Sequence, residues 1–168
     1  MRKQRPRIKP KLSATDILFE IAGWTAVLTF WIYTLASYDR LPDTIPIHYN
    51  AKGQADGFGE KSIIMYLPLV ATILYVLMTV INKFPRIFNY PVKITQENAL
   101  HQYTSATRLI RYLKLALVLV FGMIVSGTVR HAAGNADGLG SWFLSLAMVI
   151  LFAPILYYVV TAMPDGES

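Results

Sequence analysis

Residues 63–81 read IIMYLPLVATILYVLMTVI, an uncharged, apolar run that decides the fold. A helix needs about 20 such residues to cross the roughly 30 Å hydrocarbon core of a bilayer. Three further apolar runs lie at 17–37, 109–129 and 142–163, and the last of these is also uncharged. Because the runs are continuous rather than alternating, they predict helices and not barrel strands. The sequence therefore predicts an all-α integral membrane protein, with four transmembrane helices in a single domain over residues 1–168.

The composition of the chain excludes most soluble classes of protein. Hydrophobic residues make up 54% of the 168 residues and charged residues 15%, against roughly 25% charged in a typical soluble domain. A soluble chain with four such runs would have too little polar sequence to cover them. The chain has no cysteine, which excludes disulfides, thiolate metal sites and cysteine nucleophiles.

Three charged residues interrupt the predicted spans and need an explanation. Arg111 and Lys114 lie inside the third run, and we expect their long side chains to extend toward the lipid headgroups. Glu20 lies about one turn into the first run. It either pairs with one of those two cations or stays hydrated beside the helix-start groups of Ser13 and Thr15.

The positions of the basic residues predict the orientation of the chain, because short loops rich in Lys and Arg stay in the cytoplasm. The two connections on the other side hold only Arg40, Lys52, Lys61 and Arg130. We therefore expect both termini to be cytoplasmic, with the loops at 39–62 and 131–141 outside. The other twelve of the sixteen Lys and Arg residues are Arg2, Lys3, Arg5, Arg7, Lys9, Lys11, Lys83, Arg86, Lys93, Arg108, Arg111 and Lys114.

The first outer loop has a composition unlike that of a plain linker. Residues 44–49 are typical of a strand, and the two prolines before and within this segment favour extended backbone. The residues that follow, Asn50 to Gly53 and then Asp56-Gly57, are typical of turns. The sequence therefore predicts an extended segment that leads into tight turns. His48 and Asn50 alternate with apolar neighbours, so an extended chain places them on one face.

The loop string IPIHYNAKGQADGFGEK, residues 45–61, resembles a bacterial family called domain of unknown function 1648. The segment from Ile94 to Asn98, followed by Tyr103 and Arg108, is similar to that family's cytoplasmic connection. This domain also forms the N-terminal part of the SdpI-type immunity proteins, polytopic membrane proteins that protect cells from a secreted toxin. Immunity belongs to longer members with additional spans, so the resemblance implies the fold more directly than the activity. The family's motif positions fall on Pro46, His48, Asn50, Gly53, Asp56 and Asn98.

We expect a non-enzymatic protein of the bacterial cytoplasmic (inner) membrane that recognises a peptide, toxin or partner protein through this outer loop. The sequence has no HExxH-type motif and no apparent nucleophile. His48 and Asp56 either order the turn through hydrogen bonds or contact the partner. Tyr49 and Phe58 supply apolar area. The predicted binding loop comprises Pro46, His48, Tyr49, Asn50, Gly53, Asp56 and Phe58.

Two alternatives stay open at the level of the sequence. One is a metal-dependent membrane enzyme with His48, Asp56 and His131 as ligands, since imidazoles and carboxylates bind Zn²⁺. The other is an accessory subunit of a larger membrane complex. The sequence leaves the cofactor unknown. The lipid bilayer explains the basic and aromatic residues, so we expect no nucleic-acid partner.

The connection between the second and third spans divides into two parts. Residues 83–92 mix basic and aromatic side chains, which predicts a segment on the membrane surface. Thr95 is a candidate helix cap, and we expect the helix that follows to continue unbroken into the third span. Asn98 is placed to hydrogen-bond the preceding loop. Pro154 is expected to bend the fourth span and free one carbonyl group.

Overall fold

The computed structural model describes residues 5–163, and four long helices make up most of it. All four are long and apolar enough to cross a membrane, so the prediction of four membrane-length helices is confirmed. The second helix is preceded by a 3₁₀ turn over Lys61–Met65, and the third begins ten residues before the predicted run at 109. The helices are α1 (Ala14–Tyr38), α2 (Tyr66–Ile81), α3 (Ala99–Ala132) and α4 (Trp142–Ala162).

The loop between α1 and α2 folds into an antiparallel β-hairpin, which corrects the all-α expectation. Strand β1 spans Thr44–Tyr49 and strand β2 spans Ala55–Glu60. The first strand matches the extended segment predicted from the sequence, whereas the second was predicted only as turn. The pairing becomes irregular around His48, where the register shifts on both sides of that residue.

Helix α3 is the central element of the bundle, because α1, α2 and α4 all pack against it. The largest buried cluster lies between the first three helices and includes Val27, Phe30, Tyr75, Val118 and Val125. Helix α4 packs mainly against α3 through a second cluster. Much of the surface of α4 therefore faces outward, as in a helix that contacts lipid.

The bundle has two ends with different structures. The hairpin end carries β1, β2 and the loop at 133–141 between α3 and α4. The arm end carries the N-terminal segment 5–13 and the connection 82–98, which includes a short 3₁₀ turn at Pro85–Ile87. Of the predicted basic arm, Arg2 and Lys3 lie outside the described residues.

The N-terminal segment is attached to the connection at the arm end. The Arg5 guanidinium donates hydrogen bonds to the carbonyls of Arg86 (2.9 Å) and Phe88 (2.6 Å). It also lies over the ring of Tyr90, a side chain whose pKa is raised by burial. The hydroxyl of buried Tyr103 donates to the carbonyl of Pro6 at 3.2 Å. These contacts hold the start of the chain against the outer part of α3.

The start of α3 differs from the sequence prediction by one turn. The α-helix begins at Ala99, and Asn98 occupies the cap position without a side-chain capping bond. Thr95 and Asn98 instead exchange reciprocal hydrogen bonds of 2.9 and 3.4 Å in the preceding turn. The Asn98 amide also donates to the carbonyl of Lys93 at 2.9 Å, which confirms the predicted bond to the preceding loop.

Arg111 and Lys114 turn inward, so the expectation that they extend toward the headgroups was wrong. Lys114 is fully buried, and its ammonium group donates to Glu20 at 2.6 Å and to the Thr79 hydroxyl at 2.8 Å. Arg111 lies 3.2 Å from Glu20 and 3.3 Å from Asp16. A buried charge without a partner costs several kcal/mol, so the carboxylates of α1 decide the direction of these side chains. Of the two readings of Glu20, the structure supports pairing.

Asp16 connects this network to the start of α1. Ser13 caps the helix, and its backbone and side chain form a capping box with Asp16. The second carboxylate oxygen of Asp16 accepts hydrogen bonds from Arg108 and Arg111, both at 3.3 Å. We call these five charged residues the ionic cluster: Asp16, Glu20, Arg108, Arg111 and Lys114.

Candidate functional site

The turn of the hairpin is built around Asn50, one of the predicted motif residues. Its side-chain oxygen accepts hydrogen bonds from the backbone N–H groups of Lys52 (2.9 Å) and Gln54 (3.1 Å). Asn favours turns because its side chain can bond the backbone two or more residues on. Asn50 therefore fixes the shape of the turn rather than pointing freely into solvent.

Gly53 joins this turn to the loop between α3 and α4. Its φ of 73° lies in the left-handed region, where glycine is favoured. Its carbonyl accepts a hydrogen bond from the Leu139 N–H at 2.7 Å, and a Cβ at this position would collide with the Gly140 backbone. The hairpin and the α3–α4 loop are thereby locked together at the hairpin end.

His48 and Asp56 form a pair across the hairpin. The distance from His48 Nδ1 to the Asp56 carboxylate is 2.5 Å. Both side chains remain accessible, with 71% of the His48 side chain and 43% of the Asp56 side chain exposed. The pair can thus support the hairpin and still present polar groups to a partner.

Tyr49 and Phe58 attach the hairpin to the end of α3. The Tyr49 hydroxyl lies 2.8 Å from the Thr128 hydroxyl, at hydrogen-bonding distance. Burial raises the pKa of Tyr49, while the bond to Thr128 acts in the opposite direction. The Phe58 ring lies 6.3 Å from the ring of His131, and 56% of Phe58 is exposed. Tyr49 is therefore the anchored member of the pair, and Phe58 the accessible one.

An apolar groove of about 670 Å³ lies beneath the hairpin, between α2 and α4 and over α3. We call it the hairpin groove. The strand carrying Pro46, His48 and Tyr49 forms one wall. A volume of this size lies in the range of small-molecule and peptide-anchor sites. Its other lining residues include Ile63, Leu67, Ile124, Thr128, Leu139 and Phe143.

A family model matches the hairpin and the adjoining parts of its two flanking helices. Residues 25–72 match the sequence model of the domain of unknown function DUF1648. This match confirms the predicted resemblance of the loop to that family. The SdpI-type relationship and the resemblance of the segment at 94–108 stay predictions. The DUF1648 segment begins within α1, contains the whole hairpin and ends within α2. All seven residues of the predicted binding loop lie inside it.

The chain is also similar to an archaeal protein over most of its length. An uncharacterized protein of Archaeoglobus fulgidus is 28% identical to this chain over 150 residues. The similarity covers 82% of this chain and 76% of the archaeal protein, so it extends well beyond the DUF1648 segment. No solved structure matches the chain.

The structure does not assemble the three candidate metal ligands into a cluster. Within residues 5–163, no group of three or more His, Asp or Glu side chains is placed to hold a metal ion. His48 and Asp56 pair with each other in the DUF1648 segment, whereas His131 on α3 faces the Phe58 ring.

The sequence did not predict the part of the groove that lies outside the DUF1648 segment. Thr128 and Phe143 line it from α3 and α4. A polar residue near the end of an apolar span was the available signal for Thr128. The sequence offers no signal for Phe143, because one more aromatic residue in an apolar run is unremarkable in itself.

Proposed function

We propose that this multi-pass membrane protein is a non-enzymatic receptor that binds an apolar segment of a peptide or partner protein in its hairpin groove. The observation that carries the proposal is the position of strand β1, which holds three residues of the predicted binding loop. One wall of the hairpin groove is formed by Pro46, His48 and Tyr49. The predicted loop therefore borders a concave apolar surface that an apolar segment can occupy.

The groove supplies the contact area that recognition needs. Burying apolar surface contributes about 25 cal/mol per Å², and the groove walls are mainly aliphatic and aromatic. Ile47 and Phe58 are exposed on the hairpin, at 44% and 56%. The exposed His48–Asp56 pair adds polar groups that can select among apolar partners.

We further propose that the hairpin end faces away from the cytosol and that both termini are cytoplasmic. Ten of the fourteen basic residues within 5–163 lie in or beside the arm end, and such asymmetry sets orientation in polytopic proteins. In a bacterial cytoplasmic membrane, the hairpin groove would then be open to secreted peptides. This arrangement would suit an immunity-like role of the kind implied by the SdpI-type resemblance.

Copurification from native membranes tests the proposal, with a variant in which a larger side chain on α3 fills the groove. Ile124→Trp places an indole in the groove, since Ile124 lines it on α3. Leu119→Trp is the matched control, because Leu119 is 50% exposed on the same helix and does not line the groove. We expect the wild type and Leu119→Trp to recover the same partner, identified by mass, and Ile124→Trp to lose it.

Two results would reject the proposal. One is recovery of the same partner by Ile124→Trp, with both variants inserted equally. The other is a stoichiometric metal in the purified protein that His48→Ala removes, which would favour the metal-dependent enzyme instead. A partner that stays bound to all three proteins would favour the accessory-subunit alternative.

A further inference from the structure

A second, polar pocket of about 340 Å³ lies between the hairpin turn and the α3–α4 loop. We call it the basic pocket. Lys52 of the turn and Arg130 of the last turn of α3 bring two cations to its wall. Asp137 lies on the same wall, so its three charged side chains carry a net charge of +1. The pocket thus has an excess of positive charge.

The two cations of the basic pocket are not used by the fold. Within the part of the chain that the structure describes, neither Lys52 nor Arg130 has a carboxylate within 4.0 Å, and both are exposed. By contrast, Lys61 at the same end pairs with Asp43 at 3.2 Å. The basic pocket therefore presents two cations that remain available to an anion.

The basic pocket lies at the level where the apolar helices meet the hairpin. Arg130 ends the apolar part of α3, and Trp142 begins α4 and lines the pocket with 53% of its surface exposed. Trp is enriched at membrane interfaces, where its ring spans the headgroup level. On the same face of α4 as Trp142, at helical spacing, the exposed apolar residues Leu146, Val149, Leu156 and Val160 follow along the helix.

We propose that the basic pocket binds the phosphate of an anionic phospholipid, whose acyl chains lie along the exposed face of α4. Lys52 and Arg130 pair with the phosphate, and Trp142 lies beside it at the interface. Asp137 opposes binding and weakens it. The proposal does not depend on a partner in the hairpin groove, because its charged residues do not line that groove.

Lipid binding to the purified full chain tests this proposal. The probe is phosphatidylglycerol added to the protein in neutral detergent, with phosphatidylcholine as the uncharged-headgroup comparison. Each basic residue near a lipid phosphate contributes about 1 kcal/mol, so Lys52→Gln with Arg130→Gln should weaken phosphatidylglycerol binding by about tenfold or more. Asp137→Asn should strengthen it by a few-fold.

Arg40→Gln is the matched control, because Arg40 is an exposed cation at the same end that does not line the basic pocket. It should leave binding unchanged. Inorganic phosphate should compete only weakly, since it lacks acyl chains. Equal binding by the wild type and the double variant, or an equal loss in Arg40→Gln, would overturn the site. Inorganic phosphate that binds as tightly as the lipid would overturn the lipid as its ligand.

Thermal unfolding of each variant separates loss of the site from loss of the fold. Both basic side chains are exposed and make no ion pair within residues 5–163, so the variants should unfold within a few degrees of the wild type. A double variant that stays folded and still binds phosphatidylglycerol selectively over phosphatidylcholine would contradict the proposal.

Discussion

The two ends of the bundle use polar residues in opposite ways. At the arm end, carboxylates of α1 and cations of α3 meet in the ionic cluster, where Lys114 is fully buried and Asp16 is 2% exposed. At the hairpin end, His48, Lys52 and Arg130 remain accessible around two pockets. The charges of the arm end therefore join helices, whereas those of the hairpin end remain accessible at the surface.

The comparison teaches that burial, rather than charge alone, separates an ion pair that holds the fold together from a charged group that stays available at the surface. Breaking a buried pair leaves a charge without a partner or water, whereas an exposed charge can be solvated. Substitutions of buried charges at the arm end should therefore lower the free energy of unfolding more than substitutions of exposed charges at the hairpin end.

The largest effect is expected at Glu20. Glu20→Ala leaves Lys114 buried without its carboxylate, which should lower the free energy of unfolding by about 3–5 kcal/mol. Replacing both residues together, with Glu20→Leu and Lys114→Met, should recover much of the loss because no charge is left unpaired. Reversible unfolding in detergent micelles measures both variants.

Asp43→Ala is the control for that experiment. It breaks the exposed pair with Lys61 at the hairpin end and should cost at most about 1 kcal/mol. Equal costs for Glu20→Ala and Asp43→Ala would remove the distinction between the two ends.

A smaller effect is expected at Gly53. Gly53→Ala combines a left-handed backbone with a collision against Gly140, and should cost about 2–3 kcal/mol. Gly134→Ala is matched, since Gly134 has the same φ of 73° but open space around it. It should cost only about 1 kcal/mol. If the two variants lose the same free energy of unfolding, the contact between the hairpin and the α3–α4 loop does not contribute to stability.

The hydrogen bond between Tyr49 and Thr128 should contribute still less. Tyr49→Phe removes the hydroxyl and keeps the ring, so a loss of about 1 kcal/mol is expected. Hydrogen exchange of the β1 amides should accelerate in the same variant. Thr128→Val and the double variant complete a cycle, and additive losses would show that the two hydroxyls do not interact.

The smallest change in stability is expected for the His48–Asp56 pair. His48→Ala with Asp56→Ala removes an exposed pair, and should change the free energy of unfolding by less than about 1 kcal/mol. The same variant should recover less partner from native membranes, because His48 lines the hairpin groove and Asp56 pairs with it. A large loss of stability with unchanged partner recovery would assign the pair to the fold alone.

The sequence predicted the elements of this fold better than their packing. Continuous apolar runs require helices in a membrane, since backbone groups must bond within each segment, and all four runs correspond to membrane-length helices. Strand β2 was not predicted because its sequence, ADGFGE, combines two glycines with an aspartate and is typical of turns. Pairing with β1 overrides that local preference.

Only the part of the candidate site that lies in the loop between α1 and α2 was predicted. The motif residues from Pro46 to Asp56 were identified, but the groove they border also depends on where α2 and α4 lie around α3. The sequence also does not determine how each helix is rotated about its own axis. The direction of the Lys114 side chain therefore could not be predicted from the residues near it in the sequence. The Asn98 hydrogen bond to the preceding loop was predicted because it joins residues close in sequence, whereas the start of α3 lies one turn after the cap predicted at Thr95.

Site-directed labelling tests the central claim, that the hairpin end lies outside the cytosol. The chain contains no cysteine, so Ala51→Cys on the hairpin turn and Asn89→Cys at the arm end each introduce a single exposed thiol. An impermeant maleimide should label Ala51→Cys in intact cells and should label Asn89→Cys only after lysis. Labelling of Asn89→Cys in intact cells, with Ala51→Cys protected until lysis, would contradict the account.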